Sequence, residues 1–378
     1  MTAALLPRSR RLSVKSIHRR RIKLDTARLF LYPFTRIHTH SIMMEHNIRP
    51  ISFLISDDDI RRYRAALMGV AIIWIIFFHA NLGLPILNKG DMGVDIFFFL
   101  SAIGLCYSYE KNSDIIVFYK KRVLRIIPTW WPAIAAASFV SSVFLSLPHP
   151  RDIGEFLLFF SGVGYWLQGV LHASVRVVYF EWYIPTLLLF YTLFPLLVKR
   201  RSLLLFAILG MWEIVVWYST TAAGAELPQE IRDLSVPRVS IFIYGILYYR
   251  FLISPCSSRL SCLLSGGLMA ASLLLYYSGY GSVHHYVLLL MPIGLKLLCF
   301  FIQISRTGKV LAFLGGISLE LYLVHIYWNF PEFNLGPITV PRYVSIFPKI
   351  ALCIAFAMLL RAGVRKMQSV AGRIIPHA

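Results

Sequence analysis

The sequence predicts an all-α integral membrane protein, a bundle of about ten transmembrane helices, and three observations predict it. Hydrophobic residues make up 57% of the 378 and charged residues only 15%, with a mean hydropathy of +0.66; a soluble domain is about half apolar. Apolar runs such as Ala65 to Leu84 and Tyr179 to Val198 approach the roughly 20 residues a helix needs to cross a hydrocarbon core. Basic residues gather in short clusters between those runs, as loops on one side of a membrane do.

Residues 1–60 stand apart as a basic extension. Arg8, Arg10, Arg11, Lys15, Arg19, Arg20, Arg21 and Lys23 all precede the first acid, Asp25. An acid-poor, Arg-rich start resembles a transit peptide; an over-extended start, with Met43 or Met44 as initiator, or a tail lying on anionic lipid is the expectation preferred here. Residues 61–366 form the membrane domain and 367–378 a short basic tail.

Within that domain the runs predict spans near 65–84, 92–109, 126–147, 179–198, 202–219, 237–253, 259–279, 286–304, 310–330 and 345–364. The stretch Ile153 to Leu171 is also apolar, but Gly162, Gly164 and Gly169 interrupt it and it carries Gln168. Charge decides its role. The clusters at Arg61/Arg62/Arg64, Lys120/Lys121/Arg122/Arg125, Lys199/Arg200/Arg201, Arg250/Arg259, Arg306/Lys309 and Arg361/Arg365/Lys366/Arg373 all face one side only if 153–171 does not cross. Ten crossings, cytoplasmic termini and a re-entrant or interfacial segment at 153–171 are therefore expected.

The formal charge of +20 does not point to nucleic acid, because it is spread over loops rather than along one hydrophilic face. Cys106, Cys256, Cys262, Cys299 and Cys353 contain no Cys-x-x-Cys pair, so reduced structural thiols are expected. No internal repeat supports an inverted-repeat transporter.

Ionisable groups inside a bilayer are costly, and each is a candidate for function. His79 lies in the first span. Asp95 opens the second, within Gly93-Val94-Asp95-Ile96-Phe97-Phe98-Phe99-Leu100-Ser101, where it would either orient the imidazole or favour the helix dipole. On the span 310–330, Ser318, Tyr322, His325 and Asn329 fall on one helical stripe, which reads as a site or as an interhelical hydrogen-bond seam. Arg122 and Arg125, three apart, suit forked contacts with phosphate; topological anchoring alone also explains them.

Together these segments resemble the acyltransferase-3 family of membrane enzymes, which O-acylate surface polysaccharides and other acceptors. The resemblance runs from about Arg61 to Arg365. It is carried by His79 followed by Gly-Val-Asp-Ile-Phe-Phe-Phe-Leu-Ser, by Arg-x-x-Arg-Ile-x-Pro at 122–128, by Glu181-Trp182-Tyr183-Ile184-Pro185 with Phe190-Tyr191 and Pro195, and by Gly316-Ile317-Ser318 to His325. Two positions depart from the family's pattern. Met68 stands where an arginine is common, eleven residues before the histidine and about 16 Å below it on the same face. Ala102 replaces a glycine that often follows the serine. Arg64, one turn below Met68, is the nearest basic residue on that helix.

The resemblance implies transfer of an acyl group, acetyl by default, from acyl-CoA to a hydroxyl of a glycan or lipid-linked acceptor met at a bacterial inner membrane. His79, Asp95 and His325 are the catalytic candidates. Arg64, Arg122, Arg125, Ser101, Glu181 and Tyr322 are the substrate-binding candidates. Neither metal nor cofactor is expected beyond acyl-CoA as donor substrate, and the expected partners are acyl-CoA, the acceptor and membrane lipid. The rival expectations are a transporter or flippase lined by the same polar residues, and an inactive scaffold of a glycan-assembly complex, which Met68 would suit.

Overall fold

The computed structural model describes residues 54–140, 152–171, 182–220, 235–250, 283–329, 334–335, 338–339 and 342–374. Ile48–Lys366 forms one compact unit, and the residues to Asn47 fall outside it with Met367–Ala378. The described residues make α-helices and one two-residue antiparallel pair, in which Asn334 faces Thr339 and Leu335 faces Ile338.

Helix α1 (Asp57–Ala80) opens on a capping box: the Ser56 hydroxyl accepts from the Asp59 amide, and the Asp59 side chain accepts from the Ser56 amide. Asp57, Asp58 and Asp59 place negative charge at the positive end of the helix dipole. Asn81, at φ 47°, ends the helix in a left-handed cap. The predicted span 65–84 is thus displaced towards the N-terminus, and His79 sits in the last turn of α1.

A 3-10 turn, Leu87–Lys89, leads to α2 (Met92–Lys111). Helix α2 runs antiparallel to α1, with Gly93 against Ala71 and Ile75 and Gly104 against Arg64. Buried residues lie on every face of its first four turns. It is therefore the central helix, which explains an apolar run without amphipathic periodicity. Helix α3 (Ile115–Val140) begins well before the expected span at 126. Lys120 to Arg125 are consequently helical, so Arg122 and Arg125 project from a rigid element rather than a loop.

The stretch 153–171 is two short helices, α4 (Ile153–Ser161) and α5 (Val163–Leu171), meeting at Gly162 with φ 72°. That left-handed conformation favours glycine. Helices α6 (Tyr183–Val198), α7 (Ser202–Thr220) and α8 (Val236–Tyr248) follow. A buried hydroxyl cluster ties α6 and the start of α8 to α5: Ser235 Oγ lies 2.7 Å from the Tyr165 hydroxyl and 2.9 Å from Thr186 Oγ1.

Helix α9 (Val283–Ser305) is pinned to the start of α1 by Lys296 Nζ, 2.7 Å from Asp59 Oδ2. The expected single span 310–330 is broken: α10 (Gly308–Gly316) and α11 (Ser318–Asn329) meet at an angle of 69°. Beside the break, α10 packs directly on α1. A Cβ on Gly69 would collide with the Leu311 backbone, and one on Gly315 with the Ala65 carbonyl. Only bare glycine lets these backbones approach so closely. Helix α12 (Arg342–Ile374) closes the described chain.

The core joins α2, α6 and α8 through aromatic rings. Phe98 meets Phe190 at 4.9 Å and Phe190 stacks on Phe242 at 4.7 Å between centroids. The outer face is apolar too, with Leu196, Leu203, Ile214, Phe300, Phe301 and Leu359 all exposed. Apolar side chains inside and outside suit lipid as the solvent. Among the described residues three helices, Asp57–Ala80, Met92–Lys111 and Ile346–Ser369, are long and apolar enough to cross a membrane, with a fourth if the bent α10–α11 pair is one span. Helices α6 and α8, with Ser202–Trp212 of α7 and Leu290–Ser305 of α9, are shorter apolar helices. The predicted span 259–279 lies outside the described residues. Cys106, Cys299 and Cys353 are buried free thiols; Cys256 and Cys262 are outside the described residues.

Candidate active site

Helices α1 and α11 run side by side, which brings two histidines together from opposite ends of the sequence. His325 Nε2 lies 3.2 Å from His79 Nδ1. Backbone carbonyls complete the arrangement, with His325 Nδ1 at 2.7 Å from the Tyr322 oxygen and His79 Nδ1 at 3.0 Å from the Ile75 oxygen. A carbonyl only accepts, so each Nδ1 carries the proton. His325 Nε2 then accepts from His79 Nδ1, leaving His79 Nε2 as an unprotonated imidazole nitrogen on a half-buried ring. His325 is fully buried. The neighbour thus holds the His79 tautomer, a relation in which an imidazole can serve proton transfer.

Asp95 does not take the orienting place expected for it. Its Oδ1 lies 3.1 Å from Arg238 Nε, with both side chains nearly fully buried, and the Arg238 guanidinium also covers the Trp182 ring at 5.5 Å. Neither expectation for Asp95, imidazole orientation or helix capping, anticipates this ion pair, which locks α2 to α8. Asp91, one turn earlier, stands at 3.7 Å from Arg238 Nη2 and is 43% exposed. It is the carboxylate whose charge bears on His79. Sequence reasoning missed Arg238 and Asp91. An arginine three residues into an apolar run, at the depth of Asp95, was the available signal for the first.

At the other end of α11 a narrow cleft is lined by Met68, Ser101, Arg125, Tyr183, Tyr191, Ser318 and Tyr322 among others. Arg125, Ser101 and Tyr322 thus line one cleft. Arg64 lies along α2, its Nε 3.4 Å from the Leu100 carbonyl and its guanidinium against bare Gly104. Charges of both Arg125 and Arg122 bear on it. Arg122 rests over the rings of Phe118 and Tyr191, at 5.2 and 5.8 Å, and its buried Nε has no hydrogen-bond partner. None of the three arginines forms an ion pair among the described residues. Three converging guanidiniums with an orphaned donor make a place suited to an anion.

Met68 fills part of the cleft wall, 7% exposed, so Arg64 is the basic residue α1 brings to this end. Ala102 is fully buried, and a Cβ on Gly245 would stand 2.8 Å from its own. Between cleft and histidines stand Tyr183 and Tyr322, with ring centroids 4.3 Å apart, and the Tyr322 ring is 5.4 Å from that of His325. Tyr183 entered the sequence reading only as part of a motif. Glu181 and the side chain of Asn329 lie outside the described residues. Among the described residues no group of three or more His, Cys, Asp or Glu comes together to hold a metal ion.

No curated protein and no solved structure matches this chain. A family description, that of an acyltransferase domain of the acyltransferase-3 type, matches residues 66–362. That match spans the paired histidines, Arg122 and Arg125, with Arg64 just before it, and covers well over half of the sequence; the chain therefore belongs to the acyltransferase-3 family.

Proposed function

We propose that this membrane acyltransferase takes an acyl group from a coenzyme A thioester and moves it to a hydroxyl of a glycan or lipid-linked acceptor. The observation that carries the proposal is a cleft lined by Arg125, with Arg122 and Arg64 beside it, at one end of the helix whose other end holds the tautomer-defined histidine pair. The donor's phosphates would rest on Arg122, Arg125 and Arg64, where charge-assisted contacts satisfy the orphaned Arg122 Nε. The thioester end would reach towards His79. His79 Nε2 removes the proton of the acceptor hydroxyl, the oxygen attacks the thioester carbonyl, the carbon–sulfur bond breaks, and the proton passes to the departing thiolate. His325 Nε2 accepts the Nδ1 proton throughout and so steadies the charged imidazolium. If the acceptor cannot reach the donor, His79 instead carries the acyl group between them.

The same reading places the enzyme in a bacterial inner membrane with ten crossings and cytoplasmic termini. The start of α1 and the arginine cleft then face the cytoplasm, and His79 lies in the outer half. Met68 supports a second reading, an inactive scaffold, because it takes the place of a basic side chain in the cleft. One experiment separates these. Purified protein given radiolabelled acetyl-CoA should hydrolyse or transfer the label, and His79→Ala should not. Label untouched by both proteins would favour the scaffold, and substrate movement without thioester consumption a transporter.

A further inference from the structure

We propose that the Tyr183–Tyr322 ring pair is the acyl-length filter of this site, admitting short acyl groups from the cleft to His79 and holding longer ones back. The inference rests on the acyltransferase reading above. Along α11 the order is Ser318 in the cleft, then Tyr322, then His325 on His79. At 1.5 Å per residue, Ser318 and His325 are about 10 Å apart along the axis, and the Tyr322 ring occupies the interval. Tyr183, the first residue of α6, closes on it from the other side, with centroids 4.3 Å apart. A donor whose phosphates rest on the arginines must therefore send its acyl group past this pair to reach the base.

The pair is not free to swing aside. Phe98, fully buried, backs Tyr183 at 5.3 Å, and Phe97 stands at 6.3 Å. Tyr183 and Tyr322 are themselves 6% and 3% exposed. Packing of that density resists every added methylene. The cleft before the rings is also small, with about 30 Å³ of space, room for one or two waters. A two-carbon group asks little of such a neck, whereas a long chain has nowhere to lie.

The test uses the full-length protein with acetyl-, butyryl- and octanoyl-CoA, following thiol release and acyl transfer for each. Wild type should lose turnover as the chain lengthens. Because one methylene in a tight apolar pocket discriminates by roughly 10- to 200-fold, Tyr183→Ala should raise the butyryl-to-acetyl ratio by about tenfold or more. Tyr183→Phe keeps the ring and should keep the wild-type length preference, whatever its rate. Tyr322→Leu opens the neck from the α11 side and gives the same reading should Tyr183→Ala fail to fold. A gain with the longer donor cannot come from misfolding. An unchanged ratio in both opened variants, or a wild type indifferent to chain length, overturns the filter while leaving the acyltransferase intact. Consumption of no donor by any of the proteins overturns both.

Discussion

Replacing His325 by phenylalanine tests the histidine pair most directly. The substitution keeps a planar ring in a fully buried site but removes the nitrogen 3.2 Å from His79 Nδ1. When His79 takes the acceptor's proton, its imidazolium then lacks one charge-assisted hydrogen bond, worth roughly 1.5 to 3 kcal/mol. At about 1.4 kcal/mol per factor of ten, kcat should fall roughly 10- to 150-fold. That loss should be smaller than the loss in His79→Ala, where the base itself is gone and general-base catalysis of roughly 100- to 10,000-fold disappears. His325→Gln should recover much of the activity, since its amide oxygen can accept the Nδ1 proton. The assay is single-turnover acyl transfer under saturating donor, with circular dichroism and detergent-phase thermal unfolding to confirm folding. Wild-type kcat in His325→Phe would refute the orienting role. So would a loss as large as in His79→Ala with no recovery in the glutamine variant, which would make His325 the base.

Arg122→Gln with Arg125→Gln should weaken donor binding by roughly 3 to 6 kcal/mol, from two charge-assisted contacts, and lysine replacements should restore only part because they lack the planar fork; calorimetry with a non-hydrolysable donor analogue measures both. Arg238→Ala leaves the buried Asp95 carboxylate unpaired and should cost roughly 3 to 5 kcal/mol of stability. The double variant Arg238→Met with Asp95→Leu should recover most of it, read from unfolding midpoints, and a stable single variant would show that the pair does not lock α2 to α8. An epitope inserted near Glu226 should be reachable from outside intact cells and one near Lys199 should not. Exposure of both would overturn the assignment of 153–171 as non-crossing.

The sequence by itself determined the apolar, helical character of the chain and its family. Hydropathy and charge asymmetry are local properties that lipid reads directly, which is why the apolar runs around α1, α2 and α12 were visible as spans. Local signals also marked the break in 153–171, where Gly162 takes a left-handed backbone. They did not show that the run 310–330 bends by 69°, nor that Gly315 beside the break meets Ala65 and Gly69 of α1, a contact between residues about 250 positions apart. The residues of the candidate site were legible as costly groups in a membrane, but their partners were not. For Asp95 the sequence left two roles open, orienting the His79 imidazole or favouring the helix dipole, because position along a helix does not say which way a side chain points around it. Packing turned Asp95 to Arg238 and put His325, 246 residues away in sequence, on His79. Only the tertiary structure decided those pairings, since azimuth about a helix axis is set by the neighbours against which each helix buries its side chains.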